Sequence, residues 1–298
     1  VRCTYCRLPT LELGFFLLRD QVMSPRAFDG KVVIVTGSSN GIGRATARRF
    51  AELGAKVTIT GRNDNSLKTT RELLLSVGTP ADSICEVLGD LTEEAVAAKI
   101  VQATVDKFGQ LDVLVNNAGG ASFDPATPNI QMPIDNYDYT MNLNVRSIIL
   151  LVQHAIPHLE KTQGAIVNVS SIAACPFTTA MQTYYSMSKS ALDQLTVQLA
   201  GNLILKGIRV NSVNPGIVAT DILQKSGMSE DQAAAAYHSL GANRDFTPIG
   251  RAGTPDDIGK VIVFLADRSQ SEFIVGQRIV VDGGSVLRNN LLSSSFEK

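Results

Sequence analysis

Short unbroken runs of Val, Ile and Leu recur along most of the chain, and longer stretches with apolar positions at helical spacing follow them. Lys31–Thr36 and Lys56–Thr60 predict the first two strands, with helices over Gly41–Leu53 and about Asn65–Val77 behind them. Ser83–Leu88, Leu111–Asn116, Ala165–Val169, Ile208–Val213 and Arg278–Val281 predict further strands. Among these lie helices over Glu93–Phe108, Tyr184–Lys206 and Asp256–Ala266, and Pro133–Thr162 carries one long helix. Strands with one wet face alternate apolar and polar residues. These are continuous and Val/Ile-rich, so both faces of the sheet need cover. Amphipathic helices between such strands give parallel pairing with right-handed crossovers. The expected fold is α/β, a single doubly wound parallel sheet of Rossmann type with about seven strands and helices on both faces.

No linker interrupts residues 28–284, which read as one domain. Residues 1–27 form an extension outside the core, and 285–298 a C-terminal tail. Met23-Ser24-Pro25 precedes the first strand as a natural start often does, so residues 1–22 read as an alternative start or a disordered extension. Mitochondrial targeting is the other reading of that segment. Its apolar patch, Leu11–Leu18, is interrupted by Glu12 and is too short to span a bilayer. Ile222–Arg251 lacks a clear period; it leads from a strand's C-terminal end toward the last helix, the edge where ligands are covered, and is taken as the substrate loop.

Bulk composition narrows the function. The 298 residues carry a formal net charge of −1, with 44% hydrophobic and 18% charged residues. Near-neutral charge leaves no electrostatic footprint for nucleic acid, and no run reaches the ~18–20 apolar residues of a membrane span. Cys3 and Cys6 make a lone C-x-x-C with no second pair, and the chain has only three histidines, so no metal site is expected. Free thiols point to a reducing, cytoplasmic setting. The sequon Asn168-Val169-Ser170 falls on a buried-looking strand and is taken as chance.

Two features carry chemistry. Gly37, Gly41 and Gly43 lie between the first strand and the first helix, where a tight turn lets a pyrophosphate approach the backbone at a helix N-terminus. Tyr185 and Lys189 open a helix four residues apart, sharing a face at roughly 5–6 Å. A lysine ammonium there is expected to lower the phenol's pKa toward neutrality. A phosphate cradle with a tuned phenol implies hydride transfer with protonation of a carbonyl oxygen. The second strand ends Thr60-Gly61-Arg62, without the acid that would hold a ribose 2′-hydroxyl. Arg62 offers a fork suited to a 2′-phosphate, so NADP(H) is favoured over NAD(H), and Arg44 could assist.

From Phe28 to Gly284 these motifs resemble, in order and spacing, the short-chain dehydrogenase/reductase family. The turn Gly37-Ser38-Ser39-Asn40-Gly41-Ile42-Gly43 looks like its cofactor turn, and Asn116-Asn117-Ala118-Gly119 like the motif ending its fourth strand. The resemblance implies catalytic roles for Asn144, Ser171, Tyr185 and Lys189. It also implies cofactor contacts from Ser39, Asn40, Asp90, Leu91, Asn117, Ala118, Gly119, Tyr185, Lys189, Pro215, Gly216, Ile217 and Thr220. Asn144 would hold a water that relays protons from Lys189. Ser171 precedes Tyr185 by fourteen positions, one more than the family spacing; an insertion around Ala174–Ala180 absorbs it. Ser170 is the alternative, though strand alternation turns it to the other face.

Within the family, the Thr-Gly-Arg-Asn segment and the Val280-Val281-Asp282-Gly283-Gly284 ending suggest tropinone-reductase-like and glucose-dehydrogenase-like members. Phe177, Met181, Ile222, Leu223, Met228, Tyr237 and Phe246 suggest a moderately apolar pocket for a cyclic or bicyclic ketone or alcohol. Sugar oxidation with NAD(P)+ is the alternative activity, and a non-catalytic NADP(H)-binding sensor or scaffold the remote one. The resemblance further implies a homotetramer or homodimer built on the two long helices.

Overall fold

The computed structural model describes residues 26–120, 127, 129–175, 182–225 and 228–288. In chain order the strands are β1 (Val32–Val35), β2 (Lys56–Gly61), β3 (Ile84–Leu88), β4 (Val113–Asn116), β5 (Ala165–Val169), β6 (Arg209–Pro215) and β7 (Arg278–Val281). The helices are α1 (Gly41–Glu52), α2 (Asp64–Ser76), α3 (Glu94–Phe108), α4 (Ile134–Met141), α5 (Ser147–Thr162), α6 (Thr183–Leu203), α7 (Ile222–Lys225), α8 (Glu230–Ala242), α9 (Pro255–Ala266), α10 (Arg268–Ser271) and α11 (Ser285–Arg288). All seven strands are parallel, in the order β3-β2-β1-β4-β5-β6-β7.

Side chains along each strand divide between two cores. Val33 and Val35 of β1 join Val113 and Val115 of β4 under α1, α2 and α9. Ile34, Leu114 and Ile166 face the other way, under α3, α5 and α6. Burial on both faces is the reason β1, β4 and β5 read as continuous apolar runs. Edge strand β7 is only half covered. The sequon residue Asn168 is fully buried and donates to Thr196 Oγ1 at 2.9 Å.

The order in which strands are added reverses between β1 and β4, because β1 leads outward to β2 and β3 on one side and β4 begins the other. Such a switch point opens a crevice at the carboxyl ends of the strands. The segment expected as one helix over Pro133–Thr162 is instead α4 and α5 joined by a π-helical turn, Asn142–Arg146. Its extra residue directs Asn144 inward. The unpatterned Ile222–Arg251 contains α7 and α8. Helix α8 begins with a capping box between Ser229 and Gln232 and buries only Ala233 and Gly241. A face that narrow leaves little hydrophobic period to read.

Candidate active site

The switch-point crevice is a cleft of about 760 Å³. One end is formed by the turn between β1 and α1. The buried Thr36 hydroxyl accepts from the amides of Asn117 and Ala118, both at 3.0 Å, and donates to the Val115 carbonyl at 3.2 Å. The Asn117 side-chain Nδ2 donates back to the carbonyls of Thr36 (2.9 Å) and Gly37 (3.1 Å). These bonds clamp the ends of β1 and β4 together, so closely that side chains are excluded. A Cβ on Gly37 would lie 2.8 Å from the Ala118 Cα, and one on Gly43 would fall on the Gly37 carbonyl. Gly37 also takes φ 61°, which disfavours any other residue. Bare backbone beside a helix N-terminus fits a pyrophosphate, so the residues present suit a dinucleotide.

Gly37, Ser39, Asn40, Gly41 and Ile42 line the cleft, while Gly43 is buried beneath them. Arg44 lies behind the turn: its Nε donates to Thr70 Oγ1 at 3.0 Å and its Nη2 to the Ser39 carbonyl. It therefore staples the turn to α2. Arg62 stands at the tip of β2, its Nη1 donating to Asp90 Oδ2 (3.3 Å) and to the Tyr139 hydroxyl (3.1 Å). Burial works against the Arg62 charge, but Tyr139 and Asp90 outweigh it and keep the guanidinium firmly protonated. Burial likewise pushes the Asp90 carboxyl up, and bonds from Thr92 and Arg62 more than reverse that. Arg62, Asp90, Leu91 and Tyr139 all line the cleft. Tyr139 was missed in the sequence because no motif adjoins it.

Asn117, Ala118 and Gly119 form the floor, and Pro215, Gly216, Ile217 and Thr220 the opposite wall. Ser171, Tyr185 and Lys189 meet in the middle. The Ser171 hydroxyl acts on the Tyr185 phenol, favouring its ionised form. Ser170 lines the cleft as well, and its hydroxyl donates to the Lys189 carbonyl at 3.3 Å.

The expected lowering of the Tyr185 pKa by Lys189 is not what the geometry gives. Tyr185 is pushed above its ordinary value, because burial disfavours the phenolate and the Ser171 hydroxyl offsets this only in part. The Lys189 ammonium sits over the ring, 5.5 Å from its centroid, and donates to the Val169 carbonyl at 2.9 Å. Burial also lowers the Lys189 pKa to about 8, with Asp193 one helical turn further on acting against it. Asp193 accepts from Asn214 Nδ2 at 2.8 Å, and the same nitrogen donates to the Ser171 carbonyl at 3.2 Å.

Asn144 does not line the cleft. It is fully buried behind the floor; its Oδ1 accepts from the Gly120 amide at 3.0 Å, and its Nδ2 donates to the Gly120 carbonyl (2.8 Å) and to Ser188 Oγ (2.9 Å). A Cβ on Gly119 would meet both Asn144 Oδ1, at 3.0 Å, and Lys189 Nζ, at 3.2 Å, so the two side chains flank one floor residue.

On the substrate side, Ile222, Leu223, Tyr237 and Leu240 line the cleft, as does Gln182. Met228 and Phe246 do not, and the expected Phe177 and Met181 lie outside the described residues. Tyr184 packs edge-on against Tyr137, with centroids 5.6 Å apart, and donates to the Met132 carbonyl at 3.1 Å. Burial raises the Cys175 thiol's pKa. Glu230 and Asp231 are exposed at the start of α8. Among the described residues no group of acids, histidines and cysteines could hold a metal, and no helix is long and apolar enough to cross a membrane.

A phosphate-cradling turn, a nicotinamide-sized cleft and a Ser-Tyr-Lys cluster at its centre define a dinucleotide-dependent oxidoreductase. The chain belongs to the short-chain dehydrogenase/reductase family, which implies a nicotinamide cofactor. The family model that matches residues 37–286 is described as enoyl-(acyl carrier protein) reductase. A hydroxynaphthalene reductase-like protein, Arp2, of Metarhizium guizhouense is 33% identical over 274 residues, covering 88% of this chain and 97% of its own. A Caenorhabditis elegans short-chain dehydrogenase/reductase of unknown function, solved with cofactor, is 44% identical at a TM-score of 0.86; the match covers 88% of this chain and 97% of that one. C. elegans glucose dehydrogenase in its apo form is 45% identical at 0.73, covering 87% and 99%.

Proposed function

We propose that this enzyme is an NADP(H)-dependent carbonyl reductase acting on a cyclic or bicyclic ketone, with Ser171, Tyr185 and Lys189 as its catalytic group and Asn144 as the residue that positions them. The observation that carries the reading is that Ser171, Tyr185 and Lys189 line one cleft together with the glycine turn. When bound, the nicotinamide supplies or accepts the hydride. Ser171 and Tyr185 donate to the carbonyl oxygen, where negative charge develops, and Tyr185 gives its proton as general acid. Its raised pKa keeps that proton in place at neutral pH and so suits the reducing direction. Lys189 fixes the ring from beside it and reaches toward the cofactor's ribose. Asn144 supports the cluster through Ser188 and the Gly120 backbone.

Arg62 in place of an acid at the end of β2 supports NADP(H), and the apolar Ile222, Leu223 and Leu240 support a ring-bearing substrate. Similarity to a hydroxynaphthalene reductase-like protein agrees with a bicyclic ketone. Similarity to glucose dehydrogenase favours sugar oxidation as the second reading. Initial rates separate them: NADPH oxidation with tropinone, tetralone and cyclohexanone, against NAD(P)+ reduction with glucose. Tyr185→Phe is expected to lower ketone turnover at least ~100-fold, the low end for a lost acid catalyst, while NADPH still binds. Near-normal turnover in that variant would overturn the assignment.

We also propose a homo-oligomer formed through α5 and α6, where Ile149, Met187 and Val197 are exposed. Light scattering reads this directly, and a monomer mass at micromolar concentration would exclude it.

A further inference from the structure

Arg62 has two partners, and both fall on one nitrogen. Its Nη1 donates to Asp90 Oδ2 at 3.3 Å and to the Tyr139 hydroxyl at 3.1 Å, while Nε and Nη2 have no partner among the described residues. Nε and Nη2 make up one edge of the guanidinium, with two parallel N–H groups that can grip a phosphate in bidentate fashion. Arg62 is therefore held by one corner, and its phosphate-binding edge is uncommitted.

Asp90 alone would hold it poorly. The Arg62 side chain is 61% exposed at the tip of β2, and a single exposed ion-pair contact does little to fix a long, many-rotamer side chain. Tyr139 adds an anchor set in the fold. It packs against the core beneath α3 and α5. The turn that follows α4 is tied to the Asp90 loop, where Asn142 Nδ2 donates to the Thr92 carbonyl at 3.1 Å. The Asp90 carboxylate accepts from the Thr92 amide at 2.9 Å and from its hydroxyl at 2.8 Å. The two anchors also differ in charge. Asp90 offsets the positive charge that draws a phosphate, whereas a phenol hydroxyl accepts a hydrogen bond without adding a negative charge.

We infer that Tyr139 is a positioning residue for the cofactor's 2′-phosphate, its hydroxyl pinning Arg62 Nη1 so that the Nε–Nη2 edge stays turned out to the phosphate. This rests on the proposed NADP(H) preference. Without the phenol, Arg62 keeps Asp90 as its partner, and the guanidinium can close its open edge onto that carboxylate. Tyr139 acts through Arg62, so it bears on NADPH and not on NADH, which lacks that phosphate.

The test is a double-mutant cycle read by binding: dissociation constants for NADPH and NADH, from nucleotide fluorescence, for wild type, Tyr139→Phe, Arg62→Ala and the double variant. Phenylalanine keeps the packed ring and removes only the acceptor. Tyr139→Phe is expected to weaken NADPH about fivefold and to change NADH less than about twofold. In the Arg62→Ala background the same substitution should weaken NADPH no further. An unchanged NADPH constant in Tyr139→Phe, equal losses for both nucleotides, or a loss that persists in full without Arg62 overturns the inference. A wild type that binds both nucleotides equally overturns the NADP(H) reading itself, and this inference with it.

Discussion

At the scale of single residues, burial governs the chemistry of the cluster. Burial favours the neutral forms of both Tyr185 and Lys189, which moves the two pKa values apart: Tyr185 up, and Lys189 down to about 8. The ammonium is therefore the first of the two to change state as pH rises, and ketone reduction should fall on the alkaline side as it is lost. Asp193 acts on Lys189 in the opposite sense from burial, raising its pKa. Asp193→Asn removes that support, so the alkaline limb of kcat/KM should move to lower pH, read from a pH–rate profile between pH 6 and pH 10. A limb that stays in place would mean that Asp193 does not act on Lys189. The same shift has a sign for stability. Unfolded chains keep this lysine protonated up to its ordinary 10.5, so between about 8 and 10.5 the unfolded state binds more protons. On this group's account the fold therefore gains stability as pH rises through that window.

At the scale of elements, what could be read from the chain depended on how much of each element is buried. Strands β1, β4 and β5 are covered on both faces, so their apolar runs were visible and their predicted bounds differ from the observed ones by two residues or fewer. The glycine turn was equally legible, because a clash-limited crossing admits few residues at Gly37 and Gly43. The π turn at Asn142–Arg146 was not, since it adds only one position to the helical register. Helix α8 lacked a readable period because its buried positions, Ala233 and Gly241, are small and far apart. Spacing put Lys189 one turn from Tyr185 but said nothing of depth. Depth is what reversed the expected direction of the Tyr185 shift. Tyr139 came to Arg62 through tertiary packing across 77 positions of sequence, which no local pattern records.

At the scale of the whole molecule, the cleft joins segments that follow β1, β2, β3, β4, β5 and β6, so a ligand filling it bridges most of the sheet's carboxyl edge. Binding to the folded state alone stabilises it by mass action, about 2.7 kcal/mol at a ligand concentration a hundredfold above Kd. For a domain of this size that corresponds to a rise of roughly 5–10 °C in melting temperature. The proposed cofactor preference can thus be read without any substrate. NADPH should raise the melting temperature more than NADH at equal concentration. The excess should disappear in Arg62→Ala, because the guanidinium held by Asp90 and Tyr139 is what would meet the 2′-phosphate. NADH should still stabilise that variant, since the glycine turn and the Asn117 clamp remain. Equal rises for both cofactors in wild type would remove Arg62 from the reading while leaving the dinucleotide site intact. No rise with either would show that the cleft does not hold a dinucleotide, and the proposed chemistry would fail with it.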